Sequence, residues 1–554
     1  MKKIQLYMMS LVALMGLSMA ACSDKYMADL NTDPSKAETI DPNAQLTTAI
    51  LQTYGDLGMV ETYRSYNYAF SQHLMGCWNT TNYGGRHTLD NNEMAHVWTS
   101  LYANALKNLT DGIYRTTDDL TQLNINSVMR IYRAYLMSII TDMYGDAPCS
   151  EAGLGYLESK FNPRYDTQEE IYNWMFTELT EASKNLESGA DRVTGDVIYN
   201  GTIASWKKLA NSLRLRFAMR ISDVKPEVAK TQFEAALADG VFTSHNADAL
   251  IKYMDVAFSF GQESYTDFRR NAMSQLFFGN DPANNPTFLC STFFNQLYNT
   301  GDPRTFRISR FYCDQLMSLT APDNRIDLTD EIIANQVKMN PNDPGGWWWE
   351  PWPSSYESDI MKELKEIYPN LTTKMAMETR PKLANNFLKG SNPGVVMTFA
   401  EVNFLKAEAK LKGWNVTESV EDLYKKGVRE SMDFLSNNYG CDPVTDREYE
   451  AFIADNGVGH TAEQMKANIN TQAWILHFHN PNEAWANVRR ADYPKLKSPK
   501  DYGFGPYLVN GQEIPLRLLY PVLESSYNKK GYDEAVGRMS EYSWNVAMWW
   551  DVNK

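Results

Sequence analysis

The chain has 554 residues, of which 43% are hydrophobic and 22% charged, and its formal net charge is −15. That composition supplies a large apolar core and does not describe a disordered chain. A surface so acidic argues against nucleic acid as a partner and against a basic patch for anionic lipids.

Residues 1–21 read as an export signal. After Lys2 and Lys3 no charge occurs before Asp24, and the apolar run LVALMGLSMA is short for a bilayer span and ends in small residues. Met19-Ala20-Ala21-Cys22 resembles a bacterial lipobox, with methionine where leucine is usual, so Cys22 is the expected lipidation site. Several acyl chains on one cysteine give lasting anchorage where a single chain binds marginally. Residues 22–35 then form a lipidated tether and residues 36–554 one large domain. Loss of residues 1–21 removes two lysines and no acid, so the mature chain is two charges more acidic. Five further cysteines, Cys77, Cys149, Cys290, Cys313 and Cys441, are widely spaced without a CxxC pair, which suggests neither a disulfide framework nor a zinc site.

The first long loop is Gly76–Asn92, GCWNTTNYGGRHTLDNN, between two helical-looking regions. Its mixture of rigid aromatics with glycines and amides is a recognition composition. Trp78 is expected in the core, whereas Asn82, Tyr83 and Arg86 are candidate ligand contacts, and Arg86 would equally suit a peptide carboxylate. Helical periodicity follows. Val128, Ile131, Tyr132, Tyr135 and Ile139 share one face, and Trp206, Leu209, Leu213, Phe217 and Ile221 repeat the pattern with arginines on the other faces. Val402, Leu405 and Ala409 mark a third helix, opening near Thr398 and stopping at Gly413. Between these helices, 253–304 and 321–395 read as long irregular segments, and loops of that length are usually functional.

Within 321–395 lies Pro344–Pro353, PGGWWWEPWP, with four tryptophans in six positions. Each buries roughly 150–250 Å² when packed, so leaving all four in water would forgo on the order of 15–25 kcal/mol, and some of them must pack. If the stretch is extended, Trp347 and Trp349 face one side while Trp348 and Glu350 face the other, with Trp352 near the second. A carboxylate is rarely buried unpaired, so the Trp348, Glu350, Trp352 side is expected outward as a ligand platform, with Trp347 and Trp349 as anchors. The C–H face of a sugar ring suits the negative face of an indole. The alternative is a hydrophobic plug that fixes the loop.

Toward the C-terminus, His477 and His479 in HFHN would share one face if the segment were a strand. They are read as structural or surface residues, with a metal as a poor second because no third ligand is identifiable. Trp206, Trp474, Trp485 and the Trp549–Trp550 pair are assigned to packing, Arg489 and Arg490 to tying helix to loop, and Tyr520–Asn528 to the fold. No GxSxG, P-loop, GxGxxG or HExxH motif occurs, so no catalytic residue, metal or cofactor is assigned. A glycosidase would need two carboxylates at a set separation, which a sequence cannot display.

Seven stretches together carry a family resemblance: LNTDPSKAETIDP, IYRAYLMSIITDMYGDAPCSEA, SWKKLANSLRLRFAMRIS, MTFAEVNFLKAEAKLKGW, NEAWANVRRADYPKL, IPLRLLYPVLESSYN and the closing WWD at Trp549–Asp551. In this order, from about Leu30 to the C-terminus, they resemble the SusD/RagB-type outer-membrane lipoproteins of Bacteroidetes, and most closely the SusD-like branch. The resemblance implies a mainly α fold, with tetratricopeptide-like helical hairpins as scaffold, long irregular ligand-facing loops and little β structure. It also implies a lipid-anchored outer-membrane protein, exposed at the cell surface as the lid of a SusC-like TonB-dependent transporter. Such a lid captures a nutrient and does no chemistry. The ligand is commonly an oligosaccharide and for RagB-type members a peptide, and contacts tend to lie on an early loop and a mid-chain loop. A surface glycosidase and an adhesin are the rival readings.

Overall fold

The computed structural model describes residues 40–76, 80–256, 267–274, 287–314, 325–327, 366 and 381–552. Helices dominate them. The chain enters through α1 (Pro42–Gly55), whose first turn is set by Asp41 accepting from the Asn43 amide and by a proline that needs no partner there. Short α2 (Leu57–Thr62) runs directly into a π-helical turn at Tyr63–Asn67. Next come α3 (Asn91–Ser100), α4 (Lys107–Thr116), α5 (Leu123–Tyr144), α6 (Gln168–Asn185), α7 (Ile203–Arg220) and α8 (Pro226–Asp239). From α4 to α8 each helix packs against the next, which makes a row of helical hairpins. Thr167 and Glu170 close the start of α6 with a reciprocal cap.

The second half follows the same plan with α9 (Ser291–Asn299), α10 (Phe399–Leu411), α11 (Val420–Tyr439), α12 (Asp446–Asp455), α13 (Ala462–Leu476), α14 (Pro481–Ala491) and α15 (Lys529–Gly537). Thr398 caps α10, as the sequence leads one to expect, and the helix ends two residues before Gly413. The hairpin of α10 and α11 is tight because Gly427 has no side chain: a Cβ there would stand 2.6 Å from the Phe404 ring.

One apolar core runs from Leu46 to Trp550. The expected faces of α5 and α7 are buried in it, but so are the faces that carry arginine: Arg214, Arg216 and Arg220 are closed off from water. Trp206, Trp474, Trp485 and Trp550 are core residues, and Trp549 is half-buried against them.

Strands are few and short: β1 (Leu74–Gly76), β2 (Ala249–Ile251), β3 (Thr287–Leu289), β4 (Ser309–Arg310), β5 (Tyr312–Asp314), β6 (Arg325–Asp327), β7 (Lys382–Leu383) and β8 (Gly394–Met397). They pair antiparallel, in a four-stranded sheet of order β1-β3-β7-β4 and in the ribbons β2–β8 and β5–β6. Several of these strands and α9 lie inside 253–304 and 321–395, so those stretches are less irregular than expected. Leu74 faces Leu289, Gly76 faces Thr287, and Phe288 faces Lys382.

Candidate functional site

The early loop is a structured element. Thr80–Gly85 forms a π-helical turn that buries Thr80, Thr81, Gly84 and Gly85 and leaves Asn82, Tyr83 and Arg86 half-buried on its outer side. Gly84 makes this arrangement possible. A Cβ at that position would lie 2.5 Å from the Ser65 carbonyl oxygen and 2.6 Å from the Ala69 Cβ, so only glycine lets this turn rest on the Tyr63–Asn67 turn. The three candidates of the early loop are thus presented together by a backbone that is locked from beneath.

Their surroundings are acidic and aromatic. Tyr83 lies against Tyr66, with ring centroids 6.2 Å apart. Partial burial raises the Tyr83 phenol above its ordinary pKa, and the nearby Glu93, Asp90 and Glu61 carboxylates add to the effect. Tyr66 donates to the Thr88 carbonyl at 3.0 Å and accepts from the Asp90 amide at 3.1 Å, and Asp90 in turn caps α3 through the Asn92 and Glu93 amides. Ser65 donates to Glu93 at 2.7 Å. The rim therefore offers carboxylate acceptors beside the half-buried Tyr83 ring, while Tyr66 is closed off beneath it, and an acceptor beside an aromatic ring is a usual composition of a small-molecule surface.

A second loop, unremarked in the sequence reading, borders the first. The Val509 and Asn510 amides donate to the Arg86 and His87 carbonyls at 2.9 and 3.0 Å, and Arg86 Nε donates to the Tyr507 carbonyl at 3.3 Å. His87, buried between Phe70 and Trp544, donates through Nδ1 to the Gly511 carbonyl at 3.1 Å. Tyr502–Gly511, YGFGPYLVNG, has the same mixture of glycine, amide and aromatic residues that singles out the early loop, and that was the available signal.

The strands of the four-stranded sheet adjoin, in sequence, several stretches outside the described residues. β1 leads into 77–79, β3 follows 275–286, and β7 follows 367–380. Gly76 and Thr287 meet at one end, while Pro381 meets Leu289 at the other, with the Leu289 amide donating to the Pro381 carbonyl at 2.9 Å. Trp347, Trp348, Trp349, Glu350 and Trp352 lie outside the described residues, as do Trp78 and the lipidation candidate Cys22.

The histidine pair is not on a strand. His477–His479 is one turn of 3-10 helix following α13, and its two side chains go to different places. His479 stacks on Tyr439 at 4.8 Å and Phe387 at 5.9 Å, and burial lowers its pKa to about 3. His477 is buried with Glu401 and Glu483, their ligand-type atoms all within 4.8 Å of one another. That trio has its charge matched already. Glu401 accepts two hydrogen bonds from Arg216 and Glu483 one from Arg220, so a cation there would face two guanidinium groups. Next to His479 a cavity of about 20 Å³, lined by Tyr54, Asn271, Asn392, Tyr439 and Phe478, has room for about one water and none for a sugar ring.

Arg489 and Arg490 are structural, as expected. Arg489 lies 3.9 Å from the Trp485 ring centroid and donates to the Asp142 and Leu516 carbonyls, and Arg490 grips Glu408 with two hydrogen bonds of 2.6 and 2.8 Å. In the Tyr520–Asn528 stretch, Glu524 accepts from both Trp98 and Tyr165, at 3.3 and 2.5 Å.

Comparison with known proteins agrees with this architecture. A family model described as SusD-like, starch-binding associating with outer membrane, matches residues 34–325 and 352–521. A solved SusD-like protein of Bacteroidetes AC2a is 49% identical, with a TM-score of 0.85, over 93% of this chain and all of that one. A solved chitin-binding protein is 31% identical, with a TM-score of 0.74 and the same coverage. A SusD homologue from Bacteroides uniformis shares the fold at 21% identity and a TM-score of 0.68, again over 93% of this chain and all of that one. No curated protein matches. No helix among the described residues is long and apolar enough to cross a membrane. The extent of the family match and the 49% identity to a SusD-like protein along its whole length mean that the chain belongs to the SusD-like family.

Proposed function

We propose that this protein captures an oligosaccharide at the cell surface and delivers it to a SusC-like TonB-dependent transporter, while the Cys22 lipid holds it to the outer membrane. It acts by binding and does no chemistry. The observation that carries the reading is the early loop: Asn82, Tyr83 and Arg86 are held half-exposed on a turn that Gly84 locks to the core, beside rings and carboxylates. Pre-organised groups of this kind bind without the cost of ordering a loop. The starch-binding description of the family and the chitin-binding relative favour a glycan over a peptide. Trp348, Glu350 and Trp352 complete the proposed surface from the mid-chain loop.

Tryptophan fluorescence of the protein titrated with soluble starch and chitin oligosaccharides and with peptide digests tests this. A saturable response to one glycan, lost in the Trp348→Ala/Trp352→Ala double variant, and co-purification of a large outer-membrane barrel are the expected results. A response to peptides alone would replace the glycan reading with the RagB-type one, and released sugar product would contradict the absence of chemistry.

A further inference from the structure

We infer that one face of the protein rests on the lipid surface, with Tyr156, Leu120, Tyr527, Phe161 and Leu523 as the side chains that enter it; the inference rests on the Cys22 anchor proposed above. Among the described residues these are the five most exposed large apolar side chains, at 94, 82, 74, 69 and 61%. The three aromatic rings alone leave roughly 350–600 Å² of mostly apolar surface bare, as much as the largest apolar patch of an ordinary monomer.

These residues come from separate stretches that the fold brings together. Leu120 follows α4 in the 3-10 turn Leu120–Gln122. Gly153 lies on the same helix: a Cβ there would stand 2.9 Å from that of Thr110, one turn before the half-exposed Tyr114. The short helix Gly155–Glu158 then presents Tyr156, and the chain turns back until the Phe161 ring is 3.5 Å from a Cβ placed on Gly155. Asn528 donates to the Pro163 carbonyl at 2.7 Å and Tyr165 to Glu524 at 2.5 Å, which sets the Glu524–Tyr527 turn beside this loop. The Tyr527 amide donates to the Leu523 carbonyl at 2.9 Å, so their side chains share one side of that turn.

The place where the chain enters selects the occupant. Gln45 donates to Asp111 at 2.8 Å, so the first turn of α1 lies against α4, the helix that carries Tyr114 and leads to Leu120. Only residues 22–39 separate that entry from Cys22. A coil of that length spans about 25 Å on average and no more than about 65 Å. A lipid at Cys22 therefore holds the start of α1, and the face beside it, close to the bilayer. Side chains that stand free of their own protein suit a soft surface better than a rigid partner, and tyrosine is at home at the boundary between lipid and water. Lys160 and Lys529, on the same stretches, already pair with Glu151 at 3.2 Å and with Asp533 at 2.6 Å, so the attraction is apolar and needs no anionic lipid.

The test uses full-length protein purified from membranes and placed in phosphatidylcholine vesicles that contain a nitroxide-headgroup lipid. A fluorophore is attached in turn to Tyr156→Cys, Phe161→Cys and Tyr527→Cys, and, as the control, to Val228→Cys on α8, four helices further along the row. The nitroxide is expected to quench the first three about twofold or more and to leave the fourth unchanged. Equal quenching at all four positions would overturn the inference while leaving the anchor intact. Quenching that is absent in vesicles of the protein alone, with a fluorescence shift only when the outer-membrane barrel is added, would give the face to a protein partner and overturn it as well. Intact-mass measurement of the same preparation without acyl chains on Cys22 would overturn the anchor reading and this inference with it.

Discussion

Arg216 donates two hydrogen bonds to Glu401, Nε to Oε1 at 2.6 Å and Nη2 to Oε2 at 2.7 Å, and both side chains are closed off from water. Burial alone would raise the Glu401 carboxyl, but the Arg216 charge outweighs it and holds the group at about 2. The pair ties α7 to α10, and so joins the two halves of the helical scaffold. Arg216→Met should cost about 3–5 kcal/mol, because Glu401 would be left buried without its cation. Arg216→Met/Glu401→Leu should recover most of that loss. Urea midpoints of the two variants decide it, and equal losses would contradict the account.

Acid should destabilise the protein below neutrality through its buried histidines. Burial pushes the His87 pKa down to about 4, so between the ordinary value of 6.5 and 4 only the unfolded chain takes up a proton there. The neutral form is the one that fits the fold. Its contribution, at most about 3 kcal/mol, is complete above the unfolded pKa and is lost as pH falls toward 4. His73 and His479 are shifted in the same direction by burial. Melting temperatures measured from pH 7.5 to pH 5 should fall, and should fall less steeply in His87→Asn, whose amide can donate to Gly511 and tolerates the positive φ of 53°. Identical slopes would remove His87 from the explanation.

Gly84→Ala should lower stability by about 1–3 kcal/mol, since the added carbon meets the Ser65 carbonyl and nothing soft can give way. Glycan affinity should fall with it, because the turn carrying Tyr83 and Arg86 is displaced. Gly537→Ala serves as the control: it has open space, no positive φ, and a place at the end of a helix, so neutral or slightly stabilising behaviour is expected. A harmless Gly84→Ala in a chemical melt would mean that the two π turns are not locked together.

Tyr83→Ala should weaken glycan binding about tenfold, a loss of about 1.4 kcal/mol. Tyr83→Phe keeps the ring against Tyr66 and separates the roles of ring and phenol. Titration calorimetry on both variants reads the difference. Unchanged binding in Tyr83→Ala would confine the site to the other loops.

The helical scaffold was legible because α5, α7 and α10 carry apolar residues at helical spacing, and because Thr398 is a readable cap. What the spacing does not reveal is that α7 is buried on its charged faces too. The partners of Arg216 and Arg220 are Glu401 and Glu483, 185 and 263 residues away, and no local pattern encodes such distant ion pairs. The loop around Tyr502–Gly511 carries a readable composition, but not the fact that its backbone lands on Arg86 and His87. His477 and His479 would share a face only on a strand, and the HFHN alternation could not show that the helical context continues from Trp474 into a 3-10 turn that sends the two side chains apart.

The four-stranded sheet has strands of only two or three residues. A socket so small makes few demands on what is plugged into it. Lengthening a loop closed by such a socket costs little, about 0.6 kcal/mol for each doubling of its length, and leaves the helical core unaltered. Changes of length in a connection that ends at such a sheet are therefore expected to leave the helices intact. One scaffold can in this way carry connections of different length while its helices stay the same.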